Sequence, residues 1–181
     1  MAPPDRMLPR LTGLSPREDR TLVPTNLTPT LNLGFLTIVR EPAGFVGGYL
    51  VTNQWGRPLE FRLSTPVQPN RVQQILYAET LEPYICGDLI GKTLVDKTGQ
   101  AVQIIVTDTE AALELRQRLD LPVALMGATA KPQSHHRFPE DAALIRQVLE
   151  QVTGSLDLTE PFHRIREALG EARKMGVSSR V

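Results

Sequence analysis

A strict alternation of apolar and polar side chains around residue 60 constrains this chain more than any other feature. Over residues 59–63, Leu, Phe and Leu alternate with Glu and Arg, which gives a strand one apolar and one polar face. The Asn-Gln-Trp-Gly sequence at 53–56 supplies a turn, because its glycine tolerates a positive φ. Residues 44–66 are therefore predicted to form a β-hairpin, with Pro58 at the first position of the returning strand.

Three further segments are predicted to be strands. Residues 33–39 are apolar on both faces, as in a central strand, and their short connection to the hairpin predicts an antiparallel meander. Residues 101–106 and 121–126 are apolar runs on either side of a helical pattern, which predicts a β-α-β unit with parallel strands. The predicted fold class is α+β, with helices on the apolar face of one mixed sheet of about five strands.

Two helices are predicted between the meander and the β-α-β unit. Asn70 is a suitable N-cap for the first, and Val72, Ile75 and Leu76 follow it at helical spacing. The second begins near Pro83 and ends before Gly99. Its core-facing residues are predicted to be Ile85, Leu89, Ile90 and Leu94.

Composition divides the chain into four parts. Residues 1–30 are rich in proline and are predicted to be an arm, either flexible or docked on the domain or a partner. Residues 31–127 form the predicted α+β core domain, and residues 128–138 a polar linker. Residues 139–176 are predicted to form a helical hairpin, which either docks on the sheet or is held apart from it. The core-facing residues predicted for the first helix of this hairpin are Leu144, Val148, Leu149 and Val152.

The overall composition excludes several classes of function. Twenty basic and twenty acidic residues balance, so the net charge does not favour nucleic acid or an anionic membrane. A single cysteine, Cys86, forms no intramolecular disulfide and indicates a reducing compartment. No run approaches the roughly 18 apolar residues of a membrane span. We therefore expect a cytoplasmic protein without a membrane segment, and we predict no cofactor.

Two motifs resemble functional sequences without matching them. Residues 87–93 end in Gly-Lys-Thr like a P-loop, but three residues separate the glycines where that motif has four. We expect Gly87 and Gly91 to allow close packing of another element instead. The three histidines, His135, His136 and His163, have no acidic or cysteine ligands at metal-site spacing, so no metal site and no catalytic residue is predicted.

Asp108 is the candidate for a ligand-binding carboxylate, together with Thr107. It follows a predicted parallel strand and precedes a helix, where α/β sheets commonly bind ligands. The alternative is that residues 107–110 form a capping box, which would account for the carboxylate by itself.

Four apolar residues are candidates for protein interaction. Trp55, at the predicted hairpin tip, either folds back onto the sheet or is exposed as a recognition residue. Phe162, Ile165 and Leu169 form the apolar face of the last helix. We therefore expect a protein-binding or assembly module without a catalytic signature, which binds another protein or another copy of itself through the extensions. The alternative is a small-ligand-binding domain or an enzyme with a strand-end pocket near Asp108.

Overall fold

The computed structural model describes residues 30–127 and 131–176. Six strands are present in this part of the chain: β1 (Asn32–Glu41), β2 (Gly44–Asn53), β3 (Pro58–Leu63), β4 (Ile104–Thr107), β5 (Val123–Leu125) and β6 (Gln133–Ser134). They form one mixed sheet in the order β3-β2-β1-β4-β5-β6, so the predicted α+β class is confirmed. The predicted arm, apart from Thr30, and residues 128–130 of the predicted linker lie outside the described residues.

The first three strands form the predicted antiparallel meander. β2 pairs with β1 over its whole length and with β3 on its other edge. Gly44 adopts a φ of 123° where β2 begins, and Gly56 adopts a φ of 78° in the turn before β3. Pro58 is the first residue of β3, as predicted. The glycines and the proline thus fix the two turns where the sequence placed them.

The β-α-β unit is present, but a 3-10 helix makes its crossover. β4 pairs in parallel with β1 and with β5. The connecting 3-10 helix, Glu110–Arg118, buries Ala112 and Leu115, which are three residues apart as its geometry requires. An α-helical period would place Ala111, Leu115 and Leu119 on one buried face, but in the structure Ala111 and Leu119 are only partly buried. β6 adds an antiparallel edge within the predicted polar linker, and a strand of two residues has no alternation to reveal it.

One face of the sheet is covered by the later part of the helical region between β3 and β4, namely its π-helix and the α-helix that follows. The elements of this region are α1 (Arg71–Tyr77), a 3-10 turn (Ala78–Thr80), α2 (Leu81–Pro83), a π-helix (Tyr84–Gly91) and α3 (Lys92–Asp96). α2, the π-helix and α3 run on without a break and correspond to the second predicted helix. Ile85, Ile90 and Leu94 are buried as predicted, and Leu89 is partly buried.

The π-helix packs against the 3-10 helix of the crossover through its two glycines. A Cβ atom added to Gly87 would lie 3.0 Å from the backbone nitrogen of Leu115, and one added to Gly91 would lie 3.2 Å from the Leu115 side chain. Gly87 and Gly91 therefore have the packing role that the sequence indicated. The P-loop-like run lies inside this helical region rather than after a strand.

The opposite face of the sheet is covered by α4 (Asp141–Val152) and α5 (Glu160–Lys174). Side chains of both helices share one hydrophobic core with β1, β2 and β4. The predicted C-terminal helical hairpin is therefore docked on the sheet, and helices cover both faces rather than one. Within α4, Ile145 is buried where Leu144 was predicted to point inward, and Leu144 is exposed.

Two adjacent glycines of β2 allow the helices to approach from both sides. A Cβ atom on Gly47 would lie 2.3 Å from Ile90 Cγ2, and one on Gly48 would lie 2.4 Å from Ile165 Cγ2. Because successive residues of a strand point to opposite faces, each glycine makes room for one helical layer.

Candidate functional site

Asp108 follows β4 at the carboxyl end of the parallel strands. Its Oδ1 accepts a hydrogen bond of 2.5 Å from Thr37 Oγ1 on β1, and its Oδ2 forms an ion pair with Arg166 of α5. Thr107 is fully buried, and its Oγ1 accepts a hydrogen bond of 3.1 Å from the backbone N–H of Thr109. The cavities described below are lined by other residues. Both polar groups are thus engaged within the fold.

The predicted capping box at residues 107–110 is wrong. The 3-10 helix begins at Glu110, and no side chain caps its first turn. The hydroxyl of Thr109, the residue at the cap position, instead accepts a hydrogen bond of 3.2 Å from the backbone N–H of Ile38. Residues 108 and 109 therefore tie the end of β4 to β1 and α5, which a local sequence pattern does not reveal.

Trp55 is exposed, with 63% of its surface open to solvent. The turn that carries it is held firmly. Asn53 Oδ1 accepts hydrogen bonds of 3.0 Å from the backbone N–H groups of Trp55 and Arg57. Arg164 Nη1 of α5 donates to the backbone carbonyl of Gly56 at 3.0 Å. The ring is thus presented from a fixed turn rather than folded into the core.

The other three interaction candidates have a different position. Phe162, Ile165 and Leu169 are buried in the core between α5 and the sheet. Phe162 also packs edge-on against Phe35 of β1, with ring centroids 5.6 Å apart. These side chains therefore offer no surface to a partner while α5 is docked.

α1 carries the exposed apolar face that the sequence analysis did not single out. Val72, Ile75 and Leu76 are 62%, 63% and 74% exposed, and α1 buries none of its residues. They lie at positions i, i+3 and i+4, so they share one side of the helix. We call these three residues the α1 face. Helical spacing predicted the helix, but it could not show that the apolar side lacks a cover.

The ends of α1 are well defined. Asn70 and Gln73 form a capping box, in which Asn70 Oδ1 accepts from the backbone N–H of Gln73 and Gln73 Oε1 accepts from that of Asn70, both at 2.9 Å. At the other end Ala78 adopts φ 46° and ψ −122°, a conformation that non-glycine residues rarely adopt. This bend separates α1 from the buried helices that follow, so α1 stands apart from the core.

A polar cleft lies beside the chain segment that follows α1. It consists of two adjoining cavities of about 430 and 550 Å³, which share the side chains of Glu79, Pro83 and Glu114. Glu82 and Glu110 add two further carboxylates to the first cavity. The second contains Tyr77 and Tyr84, which stack with centroids 4.7 Å apart, and Asp88, which forms an ion pair with Arg118. The charge of the first cavity suits a cationic group.

His135 is a buried wall of this cleft. Its Nδ1 accepts a hydrogen bond of 3.1 Å from the backbone N–H of Arg137, so the proton of the neutral ring lies on Nε2. Nε2 lies 3.1 Å from Glu114 Oε1 and donates to it. His136 stacks on the same ring at a centroid distance of 4.5 Å. Because both nitrogens of His135 are engaged, the imidazole positions Glu114 and is not a free base.

A separate groove of about 640 Å³ runs along the outer edge of β3. Phe61, Leu63 and Val67 line one side, and Leu89 and Leu94 line the other. Its polar side chains are those of Arg62, Ser64, Thr65, Thr93 and Lys97.

The described residues contain few groups suited to catalysis or metal binding. Cys86 is fully buried, and burial raises the pKa of its thiol to about 12, which keeps it protonated and unreactive. No group of three or more His, Cys, Asp or Glu side chains within residues 30–127 and 131–176 is arranged to hold a metal ion.

The basic side chains of α5 are paired with carboxylates rather than gathered in a patch. The pairs are Arg164 with Glu160, Arg166 with Asp108, Arg173 with Glu41 and Lys174 with Glu171. A phosphate-binding surface would need cations that are free to contact the ligand.

None of the helices in the described part of the chain combines the length and the apolar character needed to cross a membrane. No protein-family model matches the chain, and no curated protein shows significant sequence similarity to it.

Proposed function

We propose that this protein is a cytoplasmic protein-binding module and that the α1 face is its docking surface. The observation that carries the proposal is the exposure of all three aliphatic residues of a helix in which no residue is fully buried. Isolated helices shorter than about 12–15 residues are marginal in water, because most helical stability in proteins comes from packing an apolar face. α1 has seven residues, so a partner that covers its face would supply the packing it lacks.

A further feature supports recognition of a protein. Trp55 is exposed on a fixed turn, and tryptophan is enriched among residues that dominate binding energy. The cytoplasmic location rests on Cys86, because one buried thiol without a partner suits a reducing compartment. We favour this proposal over the alternative, a ligand pocket at Asp108, because that carboxylate already contacts Thr37 and Arg166.

Site-specific photocrosslinking in the cells that make the protein tests this proposal. A photoreactive amino acid replaces Ile75 in one variant and Gln147, an exposed residue of α4, in a matched control. We expect a protein adduct from position 75 and none from position 147. The adduct is identified by mass spectrometry and its binding to the purified chain is then measured.

A double variant, Ile75→Gln/Leu76→Gln, completes the test. Glutamine is a good helix former, so the variant removes apolar surface and leaves the helix intact. We expect it to weaken binding of the identified protein at least tenfold, whereas Gln147→Ala leaves binding unchanged. Absence of any adduct from position 75 would refute the proposed function.

A further inference from the structure

We infer that the occupant of the α1 face is a second copy of this chain, bound through a two-fold contact between the two α1 helices. This inference rests on the proposed function and names its partner. The distribution of apolar and charged groups along and beside α1 carries it.

The α1 segment has an apolar middle and opposite charges at its two ends. The three residues of the α1 face lie between Arg71, the first residue of α1, and the pair Glu79 and Glu82 that follows the helix. All three charged residues are exposed. The segment is thus basic at its start and acidic beyond its end.

Within the part of the chain that the structure describes, the charges at these ends take part in no ion pair. Arg71 contacts Gln74 Oε1 at 3.5 Å, an uncharged group. Over residues 30–127 and 131–176, neither Arg71 nor Glu79 nor Glu82 forms an ion pair. Their charges therefore remain available to a partner.

In a dimer with a two-fold axis perpendicular to α1, the apolar middle of each helix meets that of the other copy, and each basic end meets an acidic end. In such an isologous contact the two helices run antiparallel, so each residue i that meets residue j is repeated as j meeting i. Helices pack 8–10 Å apart, and a seven-residue helix is about 10 Å long. The apolar middles then cover each other, and Arg71 of each copy lies near Glu79 and Glu82 of its partner.

The net charge of the chain also permits this contact. Twenty basic and twenty acidic residues give a net charge of zero, so no long-range repulsion opposes the approach of two copies. A contact built on one short helix is small, and small interfaces are typical of weak, reversible complexes. We therefore expect a dimer that dissociates on dilution.

Sedimentation velocity of the purified full chain over a wide concentration range tests the inference. The wild type is expected to change from monomer to dimer as its concentration rises into the micromolar range or above. Ile75→Gln/Leu76→Gln raises the dissociation constant at least tenfold. Gln147→Ala, the matched surface control on α4, leaves it unchanged.

Charge reversal provides the stricter test, because compensating substitutions within one chain can restore only a self-complementary contact. Arg71→Glu alone, or Glu79→Arg/Glu82→Arg alone, raises the dissociation constant about tenfold, since like charges then face each other. The combination of all three substitutions restores it to within about threefold of the wild type. Failure of the combination to restore dimerisation would overturn the antiparallel arrangement.

The crosslinking at position 75 separates this inference from the proposed function. An adduct containing two copies of the chain supports both. A different result is an adduct with another protein and a wild type that stays monomeric at all concentrations. That result overturns the inference that the partner is a second copy, but it still supports the proposed function. No adduct and no dimer together overturn both.

Discussion

Ile165 of α5 packs directly over Gly48 of β2, where a Cβ atom would lie only 2.4 Å from its Cγ2. α5 can approach the sheet this closely because the strand has no side chain at that point. Gly47 makes the same room for Ile90 on the other face. The two glycines thus set the spacing of both helical layers.

Gly48→Ala is expected to lower the free energy of unfolding by about 1–3 kcal/mol, because the added methyl overfills a packed contact. Gly170→Ala is the matched control. Gly170 lies within α5 and nothing occupies the space around its Cβ position, so alanine there should raise stability by about 0.5–1 kcal/mol. Urea unfolding measures both, and equal effects of the two substitutions would contradict the packing described.

Asp108→Ala is expected to lower the free energy of unfolding by about 1.5–3 kcal/mol, the usual contribution of a hydrogen bond to a charged group. The substitution leaves the fully buried hydroxyl of Thr37 without its acceptor. Arg166→Gln, at the exposed end of the same cluster, should cost less than about 1 kcal/mol. If Asp108→Ala left stability unchanged, the carboxylate would not have the structural role assigned to it.

Arg116 and Asp141 form a buried ion pair that joins the 3-10 helix to the first turn of α4. Arg116 Nε donates to Asp141 Oδ2 at 2.6 Å, and the guanidinium lies 3.9 Å from the centre of the Phe138 ring. The pairing with Asp141 raises the pKa of Arg116. Asp141→Ala is expected to cost about 1.5–3 kcal/mol in thermal or urea unfolding, because it removes the charged acceptor of a largely buried guanidinium that keeps its hydrogen bond to the Leu119 carbonyl. Arg118→Gln, which removes an exposed pair with Asp88, provides the comparison and should cost under about 1 kcal/mol.

Burial of Cys86 predicts a pH dependence of stability. Its thiol has a pKa of about 12 in the folded chain against an ordinary value of 9.0, so above pH 9 the unfolded chain releases a proton that the folded chain keeps. The wild type should therefore lose stability relative to Cys86→Ala as the pH rises from 9.0 towards about 12, and the difference should be constant below pH 9. Parallel curves for the two proteins above pH 9 would contradict this.

The sheet could be predicted largely from sequence because its signals are local. Alternation, the glycine of the turn and Pro58 each specify backbone geometry at their own positions. The sequence did not predict the π-helix, the 3-10 crossover or β6. Whether these elements form depends on packing against neighbouring elements or on pairing with a single strand. Asp108 shows the same limit, because its partners Thr37 and Arg166 are 71 and 58 residues away in the chain.

Apolar periodicity also predicts a face without predicting what covers it. Val72, Ile75 and Leu76 of α1 are exposed, whereas the equivalent apolar face of α5 is buried by the sheet. The two patterns look alike in sequence. Which of them is free for a partner depends on the arrangement of the elements in space, so the candidate interaction site could not be predicted from the sequence alone.

The measurement that tests the exposed α1 face most directly is the free energy of unfolding of Ile75→Gln/Leu76→Gln, taken at a protein concentration low enough to exclude association. Ile145→Gln, at a buried position of α4, serves as the reference. We predict that the α1 variant stays within about 0.5 kcal/mol of the wild type, as surface substitutions do, while the Ile145 variant loses several times more. A loss of more than about 2 kcal/mol in the α1 variant would show that the chain itself buries this face, and would contradict its role as a docking surface.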